Sequence, residues 1–163
     1  MKKILVMIAL ALPMLVSAQK YGHVNTTEIF QQMPEMVKVR AQIDTLNSQY
    51  ESQLTMMQEE LQKKYQEYQQ SEATMADAIK QMRQQELQEM QGRIQTFYQT
   101  AEQDLQKKQQ ELVAPVHEKL TKAIKTVGER DGYTYIFDSS VLTYISDNAI
   151  DASPAVRKEL GIK

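Results

Sequence analysis

The sequence has no cysteine. Disulfides are excluded, and so is a lipid-modified cysteine at the start of an exported chain. Histidine is scarce as well: only His23 and His117 occur. The stretch from His117 to Thr121 lacks the second histidine of a zinc-protease helix. His117 therefore reads as a solvated or hub-facing helix residue. The five glycines are scattered and make no phosphate loop, which excludes ordinary ATP binding. Asp138-Ser139-Ser140 is a run of ordinary turn residues, not a hydrolytic site. No catalytic, cofactor or metal site is expected, and the chain reads as a non-enzyme.

Long apolar runs are also missing. The one candidate, Ile4 to Leu15, has about twelve residues, whereas a membrane span needs roughly 20. Met1-Lys2-Lys3 precedes it and Val16-Ser17-Ala18 follows. This is the pattern of an export leader cleaved after Ala18, with the periplasm as destination. Cleavage leaves Gln19 to Lys163, or 145 residues. Losing Lys2 and Lys3 takes the 19 basic residues to 17 against 21 acidic ones, a net charge of −4. A basic stripe is absent, so nucleic acid is not an expected partner.

Between Glu35 and Ala114 there is no proline and a single glycine, Gly92. Helix formers fill this stretch. Apolar residues recur at Met36, Val39, Ile43, Leu46, Tyr50, Leu54, Met57, Leu61, Tyr65 and Tyr68. The mean step is about 3.6 residues, which marks one narrow apolar face on a long helix. The pattern restarts at Met75 and runs through Ile79, Met82, Met90, Ile94, Phe97, Ala101 and Leu105 to Val127. Ser71 ends the first run, and Thr74 with Asp77 resembles a capping box for the second. An antiparallel helical hairpin over residues 35–114 is expected, with its tip near 71–74 and arm helices of about 55–60 Å. The alternative is one continuous rod of about 120 Å. Pro34 suits the first position of the arm, with Met33 pushed out of helical geometry. Pro115 should kink the second helix where arm meets body. These two prolines are the candidate hinges.

The body is expected from the two ends of the chain, residues 19–34 and 115–163. Tyr21–Val24 reads as a strand, and Asn25 with Glu28 caps a short helix. Gly128 and Gly132 should end the second arm helix. Tyr133–Phe137 and Val141–Ile145 then read as the strands of a β-hairpin. Ser153 and Pro154 start a last short helix that ends at Gly161. A three-stranded sheet has open edges, which other copies of the chain can cover.

Several stretches carry a resemblance. They are "YGHVNTTEIFQQMPE", the long helical hairpin, and "VGERDGYTYIFDSSVLTYIS" followed by "DASPAVRKELGI". In this order the chain resembles the Skp/OmpH family of periplasmic chaperones across residues 19–163. The tail positions that match are Tyr133, Asp138, Tyr144, Asp151, Ser153, Val156 and Leu160.

The resemblance implies an α+β, mostly helical fold. Three small β bodies would join as a homotrimer, with three helical arms hanging around a cavity like the tentacles of a jellyfish. It further implies an ATP-independent holdase for unfolded outer-membrane β-barrel proteins. A structural coiled-coil spacer without clients is the competing reading. Candidate trimer residues are Val24, Phe30, Tyr133, Tyr135, Ile136, Phe137, Leu142 and Tyr144. Tyr133, Tyr135 and Phe137 are expected on one face and Ile136 on the other. Candidate client contacts on the arm are Tyr50, Met56, Tyr65, Tyr68, Met82, Met90, Phe97 and Tyr98. All seven methionines after the leader lie between Met33 and Met90, and methionine suits surfaces that accept varied partners. Met57, Leu61, Met82 and Met90 equally fit the seam between two helices.

The family's basic arms are not matched here. Residues 35–113 carry nine basic and thirteen acidic side chains, the whole net −4. Electrostatic capture and membrane-surface contact lose their support, so binding should rest on apolar and hydrogen-bonding contacts.

Overall fold

The computed structural model describes residues 19–162. The leader reading falls outside the described residues. The elements run β1 (Tyr21–Val24), α1 (Thr26–Gln32), α2 (Pro34–Ser71), α3 (Asp77–Asp131), β2 (Tyr135–Asp138), β3 (Ile150–Asp151) and α4 (Ser153–Leu160), with single 3-10 turns at Glu72–Thr74 and Ser139–Val141.

Local chemistry sets most of these boundaries. The Asn25 carboxamide oxygen accepts from the Glu28 amide at 3.0 Å, which caps α1. Met33 is extended, and Pro34 opens α2. Helices α2 and α3 fold back on each other as an arm, and the chain reverses at Glu72–Ala76. Ala76, not Thr74, caps α3, and it does so without a side-chain bond. Thr74 instead donates to the Ser71 carbonyl at 3.0 Å, stabilising the turn itself.

Helix α3 runs 55 residues without interruption, through Pro115. Pro115 is exposed and removes only one backbone donor, and the apolar series Val116, Leu120, Ala123 and Val127 continues beyond it into the core. Gly128 lies inside this helix. Gly132 ends it in the left-handed region, at φ 73°.

The β-hairpin expected at Tyr133–Ile145 does not form. All strand pairing is parallel, with β1 in the centre of the order β2-β1-β3. Asp138 caps the Ser139–Val141 turn by accepting from the Ser140 amide at 2.9 Å. That turn sends Val141–Ile145 into a loop, and β1 takes the pairing position a hairpin partner would have used. Leu142 and Tyr144 therefore lie on the loop, and Tyr144 is 80% exposed. Parallel neighbours need a crossover, usually a helix. Here the crossover from β1 to β2 has been drawn out into the whole arm.

Helix α4 also starts differently from expectation. Ala152 takes the N-cap position without a side-chain bond, and Asp151, two residues before Ser153, accepts from the Ser153 amide at 2.8 Å. The freed Ser153 hydroxyl accepts from the Asn25 amide at 3.1 Å and ties α4 to the end of β1.

The core sits at the root of the arm. Ile29, Met33, Val127 and Val156 are fully buried, with Val24 and Leu120 beside them. Gly22 admits the Tyr133 ring against the central strand. A Cβ at position 22 would stand 2.5 Å from Tyr133 Cε1 and 3.2 Å from the Ile150 carbonyl oxygen. Lys20 closes over the other part of that ring, with Nζ 4.0 Å from its centroid. Gly22→Ala should therefore lower stability by about 1–3 kcal/mol through overpacking. Thermal unfolding followed by circular dichroism checks this. The cost should be less than additive when Gly22→Ala is combined with Tyr133→Ala.

Candidate functional site

Two surfaces of the fold carry apolar groups that the single chain does not cover. The first is the outer face of the sheet. Parallel register places Tyr21 beside Tyr135, and His23 beside Phe137 and Asp151. Paired residues of neighbouring strands share a face. The rings of Tyr21, Tyr135 and Phe137 form a stacked row with centroids 5.9 Å apart. All three stay between 43% and 57% exposed. Ile136 and Val24 turn the other way, into the core. Tyr133 precedes β2 and also packs on the core, so it does not share the face of Tyr135 and Phe137. Phe30 stacks on His117 at 4.4 Å, at the root of the arm.

His23, Ser139 and Asp151 meet beside the aromatic row, and their geometry excludes a serine-hydrolase arrangement. Ser139 Oγ lies 3.3 Å from His23 Nδ1, and Asp151 Oδ1 lies 4.0 Å from the same nitrogen. A relay needs the serine and the carboxylate on opposite nitrogens of the ring.

The second surface is the arm. Its helices are held by a thin seam with polar ties along it. Lys119 pairs with Glu35 at the root. The Tyr50 hydroxyl donates to Asp104 at 2.7 Å, and the Tyr50 ring meets Phe97 edge-on at 5.9 Å. Toward the tip Lys64 pairs with Glu86, which also accepts from Arg83. The hydrogen bond to the Asp104 carboxylate raises the pKa of Tyr50 above the ordinary tyrosine value. Those from Lys64, then Arg83, lower that of Glu86.

Of the arm candidates, Met56, Tyr65, Met82 and Tyr98 are about half exposed. Tyr50 and Phe97 are partly buried across the seam. Tyr68 and Met90 are buried, and the Tyr68 hydroxyl is engaged by Glu72 and Gln84. Sequence periodicity could not separate these groups, because seam and flank differ by less than one helical step. It also passed over the mid-arm hollow beside Gly92. The only signal there is Gly92, the single glycine between Glu35 and Ala114.

Among the described residues no group of His, Asp or Glu could hold a metal ion, and no helix is long and apolar enough to cross a membrane. The family model for outer membrane protein (OmpH-like) matches residues 20–160. The chain belongs to the OmpH-like family. The protein named Chaperone protein Skp of Pectobacterium atrosepticum is 28% identical over 144 residues, covering 88% of this chain and 87% of that one. The protein of the same name from Photorhabdus laumondii is 30% identical over 128 residues, covering 78% of each. The crystal structure of an OmpH-like outer membrane chaperone from Caulobacter crescentus superposes with a TM-score of 0.79 over 87% of this chain and 83% of that one. At 17% identity that likeness speaks for the fold. It agrees with the mostly helical α+β architecture expected from the sequence, and the relatives' names agree with a chaperone role.

Two carboxylates give the body a defined pH dependence. Burial pushes Asp138 up, but hydrogen bonds from the Thr26 hydroxyl and the Ser140 amide outweigh it and hold the group below the ordinary carboxylate range. Burial likewise pushes Asp151 up, and bonds from Ser153 with the nearby His23 and Arg157 outweigh it. A folded pKa below the unfolded one stabilises the protein above the unfolded value and stops doing so as pH falls through the folded one. Stability should therefore drop as pH falls from about 4 downward. Melting curves recorded between about pH 6 and about pH 3 should show this, with a shallower fall in Asp138→Asn.

Proposed function

We propose that this protein is an exported, ATP-independent holdase of the periplasm. Three copies join through their β bodies, and the arms take up unfolded outer-membrane β-barrel proteins before these reach the membrane. The observation that carries the reading is an OmpH-like match across nearly the whole described fold, combined with apolar groups left open on both the sheet and the arm.

The stacked row of Tyr21, Tyr135 and Phe137 supports self-association at the sheet. Full burial of a Phe-sized side chain contributes about 1.5–3 kcal/mol, and three copies could cover what one leaves open. The parallel sheet also ends in two unpaired edges, β2 and β3, which invite pairing between copies. Val24, Phe30, Ile136 and Tyr133 would serve this body from within, by supporting the sheet's inner side. Leu142 and Tyr144 would act from the loop.

Unfolded barrel strands expose alternating apolar side chains and aromatic girdles. Met56, Tyr65, Met82 and Tyr98 would meet them by weak contacts, and three tethered arms would add these through effective concentration. The root near Pro34 and Pro115 would let the arms adjust to clients of different size. Release follows when the client folds into the membrane and removes the surface being held. With acidic arms, capture rests on apolar and hydrogen-bonding contacts, and anionic lipid is a poor partner.

Dilution of a urea-unfolded outer-membrane barrel protein into buffer tests the holdase. Stoichiometric trimer should suppress the light scattering, and unchanged scattering would leave the spacer reading in its place. Sedimentation tests the hub: the wild type should run as a trimer. Phe137→Asp should run as a monomer with its helical signal kept, because Phe137 is already 43% exposed in the single chain. Ile136 packs on the core, so Ile136→Asp is expected to unfold the body as well.

A further inference from the structure

The mid-arm hollow has a composition and a shape that point to one kind of occupant. It is an open groove of about 700 Å³ on the flank of the arm. Met57 comes from α2, while Gly92, Arg93, Thr96, Phe97 and Thr100 come from α3. Gly92, Thr96 and Thr100 are spaced four residues apart, so they line one ridge of α3. The space over Gly92 is open, since a Cβ built there would meet no atom within 4 Å, so a larger side chain at this position would project into the groove.

The groove offers little to a polar guest. The Thr96 hydroxyl donates to the Gly92 carbonyl and the Thr100 hydroxyl to the Thr96 carbonyl, each at 2.9 Å. Both donors are therefore spent on the helix's own backbone. The wall is pre-set: Asp104 holds the Tyr50 hydroxyl, and the Tyr50 ring holds Phe97 edge-on. A site ordered before binding loses less entropy when it is filled. Arg93 stands at the rim. It takes part in none of the ion pairs found among the described residues, although Glu89 lies one turn away.

We infer that this groove is a docking site for an aromatic side chain on an extended segment of unfolded polypeptide. The inference rests on the holdase reading and locates one of its contacts. The Met57 thioether and the Phe97 ring that line it both favour an aromatic partner. A free guanidinium at the rim complements the negative face of such a ring. An aliphatic side chain would find the same apolar floor but gain nothing from Arg93. A carboxylate would meet Glu89.

The experiment uses the full mature protein with labelled methionine methyl groups and two probes. One is a peptide of alternating tyrosine and serine, with an alternating leucine and serine peptide as its control. The other is a urea-unfolded outer-membrane barrel protein. The tyrosine peptide should move the Met57 methyl resonance, and the leucine peptide should move it several-fold less. Gly92→Leu should fill the groove, abolish the Met57 response and weaken capture of the barrel protein several-fold. Its melting temperature should not fall, because leucine suits a helix better than glycine. Gly92→Ala, which leaves most of the groove open, should bind within about twofold of wild type. Arg93→Gln should reduce the preference for tyrosine over leucine.

Capture by Gly92→Leu equal to wild type would overturn the groove and leave the holdase intact. Failure of the wild type to hold the barrel protein, with Met57 still answering the tyrosine peptide, would sink the holdase and leave the groove. A Met57 signal that changes with protein concentration alone, and loses that dependence in Gly92→Leu, would show a second copy in the groove and overturn the inference.

Discussion

The parallel ladder between Tyr21–Val24 and Tyr135–Asp138 is the contact on which the rest of the molecule depends. It joins two strands separated by the entire arm. Closing a flexible chain of that length costs roughly 4 kcal/mol before any contact is gained. The helical hairpin lowers this cost, because α2 and α3 run out and back and return the chain to its origin. The ladder in turn fixes both feet of the arm. Val24 on one side and Val116, Leu120 and Val127 on the other then share one core, with Val156 of the last helix closing it.

The distribution of burial follows from this arrangement. The root holds the fully buried residues, while most seam residues of the arm are only partly covered. Two helices in contact along one narrow face cannot do better. Polar ties such as Tyr50–Asp104 and Lys64–Glu86 therefore hold the helices in register. A firm root and a lightly held arm would suit the holdase role proposed above. They also leave half-exposed methionines and tyrosines at intervals along the arm without unfolding it. The sheet follows the same logic at the other end of the molecule. Its inner face is spent on the core, and its outer aromatic row is left over.

The legible parts of the fold were those written in local chemistry. Asn25 with Glu28, and Met33 with Pro34, mark the starts of α1 and α2 where the structure has them. The helical period over residues 36–68 and again from 75 onward predicts the arm, because a repeat near 3.6 has one structural meaning over such a length. The misread parts involve competition between local preferences. Val141–Ile145 has strong strand composition, yet the Asp138 turn and the nearness of β1 decide the pairing. Tyr133 looked like part of an alternating strand, but the strand begins two residues later and its ring fills the space over Gly22. At the arm, periodicity located the apolar face but could not say which of Tyr65, Tyr68, Met82 and Met90 the second helix would cover.

The sequence by itself determined the helices and the first two strands in their order, but not the short third strand at Ile150–Asp151. Helix period, caps and turn residues act over a few positions and need no distant partner. It also determined that no thiol or disulfide chemistry is available, because cysteine is absent. Only the tertiary structure decided that the sheet is parallel with β1 in its centre. Strand pairing depends on residues more than one hundred positions apart, and no local preference selects among the partners. The same holds for the aromatic row and for the groove at Gly92. Each is made of side chains that are unremarkable alone and acquire a surface only when two distant segments are brought side by side.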